Sequence, residues 1–254
     1  MLKIKDIEAI KYKLNKNENE LLKYFLDNSD KIKNMTIQDV AKNAYTSTAS
    51  IVRFCKKLGY SGFSEFKVAI MYYFEDKINV NNNYVRLNNF KNTIFNDIDQ
   101  SKALINDEKI NCVLDLIYNS SRIDFYGEGS SRMICMEMSR KFHIIGKPSN
   151  YYDDTSMMYI SAASLKSNDI VFAISMSGET NQILKAVNIA RMRKCKIVSL
   201  TNIGVNTLSK LSDINLYVCA SNFTIDDISF ISRIPALTLM EYIYFAYLNK
   251  YKTK

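Results

Sequence analysis

Residues 36–59 read Thr36-Ile37-Gln38-Asp39-Val40-Ala41-Lys42-Asn43-Ala44-Tyr45-Thr46-Ser47-Thr48-Ala49-Ser50-Ile51-Val52-Arg53-Phe54-Cys55-Lys56-Lys57-Leu58-Gly59. Two short helices are written into this stretch. Thr36 with Asp39 three residues on is a capping-box start, in which each side chain takes a backbone N–H of the other residue. Ile37, Val40, Ala41 and Ala44 follow at i, i+3, i+4 and i+7, one apolar helical stripe. The pattern breaks at Tyr45-Thr46, and Ser47 is placed to cap a second helix over about 48–58. Its inner face is Ile51, Cys55 and Leu58, with Val52 and Phe54 flanking. Gly59 is the expected stop just past its end. On the opposite face Ser50, Arg53 and Lys57 fall in line, with Thr48 at the helix start. A short helix, a tight turn and a second short helix are the form of a helix-turn-helix.

Working outward, Leu21, Leu22, Phe25 and Leu26 have helical spacing, with Asn17 or Asn19 as the N-cap. Phe63, Phe66 and Ile70 begin another amphipathic helix running to about Asp76. The charge sorts the same way. The 254-residue chain has 34 Lys+Arg and 26 Asp+Glu, a formal net charge of +8. Residues 1–30 balance. Residues 31–67 hold seven cations (Lys31, Lys33, Lys42, Arg53, Lys56, Lys57, Lys67) against Asp39 and Glu65. The basic excess therefore lies in the window with the two helices. Hydroxyls and a guanidinium on one exposed face suit groove edges, and lysines suit phosphates. A helical interaction domain with a wet polar face is the competing reading.

Composition excludes other classes. A hydrophobic fraction of 47% is too high for a disordered chain, and one His excludes a histidine-rich metal site. The five cysteines, Cys55, Cys112, Cys135, Cys195 and Cys219, are widely spaced with no C-x-x-C. They read as reduced, mostly buried thiols in a reducing cytoplasm. The start Met1-Leu2-Lys3-Ile4-Lys5-Asp6 has no apolar core of a signal peptide. The apolar run from Ile234 to Leu248 is interrupted by Glu241 and too short for a bilayer, so a buried helix is expected.

Residues 78–92 are rich in Asn and lose apolar periodicity, the best linker candidate. Beyond them strands and helices alternate. Ile123–Tyr126 predicts a strand, followed by Gly127-Glu128-Gly129-Ser130-Ser131 and a helix over about 131–145. Asp169–Ser175 predicts a buried parallel strand, followed by a helix over 180–193. Then come a strand over 196–201, a helix over 205–211, a strand over 214–219 and a final helix from about Ser229. This is a doubly wound α/β pattern.

Two strand-to-helix turns in that half carry chemistry. In the first, a third glycine at dinucleotide spacing would fall at residue 132, which is Arg132, so a nucleotide fingerprint is disfavoured. The second, Ser175-Met176-Ser177-Gly178-Glu179-Thr180, gathers three hydroxyls and a turn-permitting glycine at a helix N-terminus, where N–H groups and the dipole favour an anion. A single cap needs one hydroxyl, so three point to a phosphate site. Simple capping is the rival.

Met35–Ala41 with Ser47–Lys67, above all Arg53-Phe54-Cys55-Lys56-Lys57-Leu58-Gly59-Tyr60-Ser61-Gly62-Phe63-Ser64-Glu65-Phe66-Lys67, resembles the helix-turn-helix of RpiR/MurR-family bacterial transcriptional regulators. Ile170–Ser175 with Ser177-Gly178-Glu179-Thr180, together with Gly127-x-Gly129-x-Ser131 and Leu200-Thr201-Asn202, resembles a sugar isomerase (SIS) domain. The resemblances cover residues 1–77 and 105–245. They imply a helix-turn-helix domain over 1–77, a linker and lead-in helix over 78–104, and a SIS domain over 105–254. They imply DNA contacts by Ser47, Thr48, Ser50, Arg53, Lys56 and Lys57, with Phe54, Leu58, Phe63 and Phe66 packing the small domain. They imply a phosphosugar held by Ser130, Ser131, Ser175, Ser177, Gly178 and Thr180.

Departures from the SIS pattern are Met176, where sugar-side contacts change, and Ile144, a packing change. His143, expected mid-helix, is read as structural or surface. Asp226-Asp227 are read as helix N-terminal charge. No acid/base pair that would serve an isomerase is found. The reading is a cytoplasmic regulator, without catalytic residues, metal, cofactor or membrane segment. It binds operator DNA and a phosphorylated sugar and works as a homo-oligomer, at least a dimer. The apolar final helix, with Leu237, Leu239, Tyr242, Ile243, Phe245 and Tyr247, is either part of that interface or core. Two alternatives stay open, a phosphosugar isomerase and a DNA-binding protein whose SIS domain only dimerises.

Overall fold

The computed structural model describes residues 14–33, 35–80, 87–225 and 228–252. The chain divides into two compact units that part between Phe90 and Lys91.

The first unit holds helices α1 (Lys16–Asp27), α2 (Ser29–Ile32), α3 (Ile37–Asn43), α4 (Thr48–Lys57) and α5 (Phe63–Val80). The cap of α1 is Asn15 rather than Asn17 or Asn19. Its side chain accepts the Glu18 N–H at 2.9 Å, and the Glu18 carboxylate accepts the Asn15 N–H at 2.8 Å. That box has the same three-residue spacing as Thr36 and Asp39, which form theirs as expected. The stripes meet in an aromatic core. Phe25 stacks on Phe54 at 6.0 Å and lies edge-on to Phe66 at 4.9 Å, and Phe54 meets Phe66 at 5.5 Å. Ile51, Cys55 and Leu58 are buried with them. Burial pushes the Cys55 thiol up to about 12, so it packs as an inert hydrophobe.

Helix α5 runs past Asp76 to Val80, and α6 (Leu87–Ala103) begins within 78–92, at the place of the expected lead-in helix; residues 81–86 of the expected linker lie outside the described residues. Asparagine is a weak helix former, costing under about 0.7 kcal/mol, so Asn79, Asn88 and Asn89 are tolerated in these helices.

The second unit is built on five parallel strands: β1 (Ile123–Gly127), β2 (Ser149–Tyr151), β3 (Ile170–Ile174), β4 (Lys196–Asn202) and β5 (Ile214–Val218), in the order β2-β1-β3-β4-β5. Helices lie on both faces, as right-handed crossovers require. On one face α7 (Asp107–Asn119), α8 (Ser131–Ile144) and α12 (Ile234–Tyr251) cover Phe125, Phe172, Ile174, Leu200 and Val218. On the other α9 (Thr155–Ser164), α10 (Asn181–Met192) and α11 (Thr207–Leu211) cover Tyr126, Val171, Ala173 and Ile197. Alternate residues of β3 thus serve opposite layers.

Residues near the end depart from the sequence reading. Ser229 lies in a strand, because β6 (Asn222–Ile225) pairs antiparallel with β7 (Ile228–Ile231). Helix α12 starts at Ile234, with Pro235 in its first turn, where a missing N–H costs nothing. Asp226 and Asp227 lie outside the described residues. In α12, Leu239, Ile243 and Tyr247 are buried, whereas Tyr242 and Phe245 are exposed.

Candidate functional site

Helix α4 presents one polar face. Ser47 caps it, its hydroxyl accepting the Ser50 N–H at 3.1 Å. The Ser47 and Ser50 hydroxyls share a hydrogen bond of 2.9 Å, and Arg53 Nη2 donates to Ser50 Oγ at 3.2 Å. Ser47, Thr48, Arg53, Lys56 and Lys57 are exposed and Ser50 is half-buried. The hydroxyl pair therefore orients the guanidinium along the face. Lys57 differs from the others. Its ammonium lies 2.6 Å from the Glu18 carboxylate of α1, and this contact, with the Asn15 N–H, holds the Glu18 carboxyl below its usual range. An exposed pair of this kind adds little stability, so a phosphate can compete for the Lys57 ammonium. Lys67 is part-buried and donates to the Met35 carbonyl at 2.7 Å. Phe54, Leu58 and Phe66 are buried and Phe63 is half-buried, as packing residues.

In the sheet, β1 and β3 are neighbours in register, Gly127 opposite Ile174. The chain leaves β1 toward β2 on one side and leaves β3 toward β4 on the other. Strand order therefore reverses between them, the crevice where open α/β sheets bind ligands. Residues 128–131 and 175–180 leave the sheet side by side at its C-terminal edge. Gly127 is required by close approach, since a Cβ there would stand 2.7 Å from Cys135 Sγ and 3.0 Å from the Ser131 carbonyl. Ser131 is buried at the start of α8, and Ser130 is exposed at its N-cap position without a side-chain cap bond.

The second loop is self-bonded. Ser175, 4% exposed, lies 2.8 Å from the Thr180 hydroxyl and 3.5 Å from that of Ser177. The Gly178 N–H donates to Ser175 Oγ and the Glu179 N–H to Ser177 Oγ, both at 3.2 Å. These two amides are thus engaged by the loop's own hydroxyls. The amides free for an anion are those of the first turn of α10, whose first helical bond runs from Leu184 N–H to Thr180 O. Thr180 is the N-cap of α10 but makes no cap bond with its side chain. Its hydroxyl belongs to the Ser175 cluster, so helix capping does not account for the Thr180 hydroxyl. Gly178 has φ +64, and a Cβ there would meet Asn206 at 2.2 Å. Gly178→Ala is therefore expected to distort the loop and lower the thermal stability of the sheet domain. An unchanged melting curve would show that the loop tolerates the change.

A buried hydrogen-bonded chain leads from this loop to α6. The Asn202 N–H donates to the Met176 carbonyl at 3.1 Å. The Asn202 side chain donates to Ala220 O at 2.9 Å and accepts Ala220 N–H at 3.0 Å. On either side of Ala220, Cys219 N–H donates to Ser101 Oγ, and Ser221 donates through N and Oγ to the two oxygens of Asp97, all at 2.8 Å. Asp97 and Ser101 lie on α6.

Several expectations are corrected. Met176 is 4% exposed, and its side chain packs in the core on the α8 and α12 side of the sheet. Ile144 is 67% exposed rather than a packing residue. His143 is exposed in the last turn of α8, not mid-helix. Arg132, at the would-be third glycine, pairs with Glu128 at 2.5 Å, and the other Glu128 oxygen accepts from Thr155 Oγ1 at 2.7 Å. Asp124, a fully buried carboxylate missed from sequence, sits near the start of β1. It accepts from Ser161 at 2.6 Å and Tyr152 at 2.8 Å and pairs with Arg122 at 3.1 Å. Its oxygens are spent on joining β1 to α9. Among the described residues no His/Cys/Asp/Glu group has the arrangement of a metal site, and no helix is long and apolar enough to cross a membrane.

Residues 1–77 match the helix-turn-helix domain of the rpiR family, and residues 116–245 match the SIS domain. An uncharacterized HTH-type transcriptional regulator of Caldanaerobacter subterraneus subsp. tengcongensis is 30% identical, over 89% of this chain and 83% of its own. The HTH-type transcriptional regulator RpiR of Escherichia coli K12 is 28% identical, over 90% of this chain and 80% of its own. Among solved structures, the Vibrio vulnificus NanR protein complexed with ManNAc-6P superposes with a TM-score of 0.62 at 26% identity, covering 94% of this chain and 88% of its own. Both domain matches in this order, with relatives alike along most of both chains, make the chain a member of the RpiR family of helix-turn-helix transcriptional regulators that carry a SIS domain.

Proposed function

We propose that this regulator binds operator DNA through Ser47, Thr48, Ser50, Arg53 and Lys56, with Lys57 at the edge of the contact. It answers to a phosphorylated sugar held between residues 128–131 and 175–180. The observation that carries the second half is the cluster of Ser175, Ser177 and Thr180 hydroxyls at the β1/β3 switch point, without a capping role for Thr180. Ser130, Ser131 and Gly178 complete the site. The Vibrio NanR protein, whose structure contains ManNAc-6P, supports a sugar phosphate of the N-acylated hexosamine class as the first candidate. The regulator works in the cytoplasm as a homo-oligomer, at least a dimer, so that two α4 helices meet two half-sites. The exposed Tyr242 and Phe245 of α12 are available to that interface. The domain boundaries proposed are 1–77, 78–104 and 105–254. The protein is not an enzyme, and turnover of any aldose or ketose phosphate would overturn that.

The chain of hydrogen bonds from Met176 through Asn202 and residues 219–221 supports α6 as the element that carries occupancy toward the DNA-binding domain. Asn202→Ala keeps the backbone bond to the loop but removes both bonds to Ala220. It should leave phosphosugar affinity within a few-fold, cost about 1–3 kcal/mol of domain stability, and shrink the effect of ligand on DNA affinity. Full retention of that effect would show that coupling runs elsewhere.

The test of the DNA half is Arg53→Ala in the full chain. Specific affinity should fall by roughly 1–3 kcal/mol if the guanidinium reads a base, or all affinity should fall with a salt slope lower by about one if it holds a phosphate. Unchanged affinity and slope would remove Arg53 from the contact.

A further inference from the structure

Tyr45 is 98% exposed and has φ +50. It stands just after α3, whose C-cap is Ala44. The Thr46 N–H donates to Ala41 O at 2.9 Å and the Tyr45 N–H to Lys42 O at 3.4 Å. These are the two bonds of a Schellman motif, with Tyr45 as its left-handed residue. That position ordinarily takes glycine or asparagine, because a Cβ crowds the backbone there. A tyrosine at this place strains the turn, and its ring gains no burial in return. Folding of the domain would be served better by glycine.

The ring projects from the turn that leads directly into Ser47 and Thr48. Tyr45-Thr46-Ser47-Thr48 places four hydroxyl-bearing side chains in a row at the entry of α4. Tyrosine hydroxyls are among the groups that hold a protein on the DNA backbone, and such contacts fix register without reading sequence. We infer that Tyr45 is a DNA-backbone contact of the helix-turn-helix, its phenol donating a hydrogen bond to a phosphate oxygen beside the groove that α4 enters. This rests on the DNA-binding reading above, and it assigns a role to a residue of the turn rather than of the helix.

The two properties of Tyr45 make opposite demands, and that separates them experimentally. Full-length wild type, Tyr45→Gly and Tyr45→Phe are compared by thermal melting and by titration of a random-sequence 30-base-pair duplex at several salt concentrations. A backbone contact contributes to sequence-independent binding, so no operator is needed. Tyr45→Gly should raise the melting temperature of the small domain by about 4–8 °C, the shift expected for relief of roughly 1 kcal/mol in a domain of this size. The same change should lower duplex affinity roughly 5- to 10-fold. Because the phenol is neutral and displaces no cation, the salt slope should stay as in wild type. Tyr45→Phe should keep wild-type stability and lose affinity nearly as far. Wild-type affinity in Tyr45→Gly would overturn the assignment while leaving the DNA-binding reading intact. Wild type with no salt-dependent binding to any duplex would overturn both.

Discussion

Replacing Ser175 and Ser177 together by alanine should abolish the response to phosphosugar while DNA binding stays at its wild-type level. Each hydroxyl that donates to a phosphate oxygen makes a charge-assisted hydrogen bond of about 1.5–3 kcal/mol. Loss of both corresponds to roughly a 100-fold weaker effector or more. The loop itself should survive. The Gly178 N–H keeps its second acceptor, the Ser175 carbonyl at 3.0 Å, and the Asn202 N–H keeps the Met176 carbonyl. Thermal shift by a sugar 6-phosphate reads the change directly, since a ligand that binds only the folded state stabilises it in proportion to its affinity. A double variant that retains the ligand-induced shift would move the phosphate site elsewhere.

The second large effect is in the small domain. Phe54 is 2% exposed and packs against both Phe25 and Phe66. Phe54→Ala should cost about 3–5 kcal/mol, the range for a buried aromatic truncated to alanine. A domain of this size has little stability to spare, so most molecules should lose their first unit at ambient temperature. Melting should show the loss of one transition with that of the sheet domain kept. Protease should cut ahead of residue 91, and duplex binding should disappear. Normal duplex affinity with an unshifted melt would mean that this aromatic cluster does not hold the domain together.

The helix-turn-helix could be read from sequence because its signals are local. Thr36 with Asp39, Ser47 and Gly59 mark ends, and the stripes between them mark faces. Asn15 with Glu18 carries the same signal as Thr36 with Asp39, yet Asn17 and Asn19 lie nearer the apolar run, so the stripe alone points to them. The strand at 170–174 is legible because burial on both faces demands an unbroken apolar run. Strand β2, Ser149-Asn150-Tyr151, has no such run, being three residues at the sheet edge. Helix α7 is written in Ile110, Val113, Leu114 and Ile117 and in its cap Asn106, a local signal of the same kind. Pro235 was the better marker for the start of α12.

The loops at the switch point were legible as residue types, and their adjacency was not. That depends on strand order, which is set by which crossovers close a sheet rather than by any local pattern. The role of Asn202 was equally hidden, because its side chain bonds the backbone of Ala220 and no pair of residue types announces such a contact. The same holds for the burial of Met176. In a tight turn after a strand, the period-two alternation lapses, so the sequence does not say which side chains turn back into the core.

On the proposed function, one chain couples two recognitions of phosphate. That coupling is read by the affinity of the full-length protein for duplex DNA from around its own gene, titrated with and without a sugar 6-phosphate that stabilises the protein in a thermal-shift panel. Coupling between the two sites predicts a change in DNA affinity of about 5-fold or more, in either direction. Superimposable titrations with every stabilising phosphosugar, or no stabilisation by any of them, would contradict it.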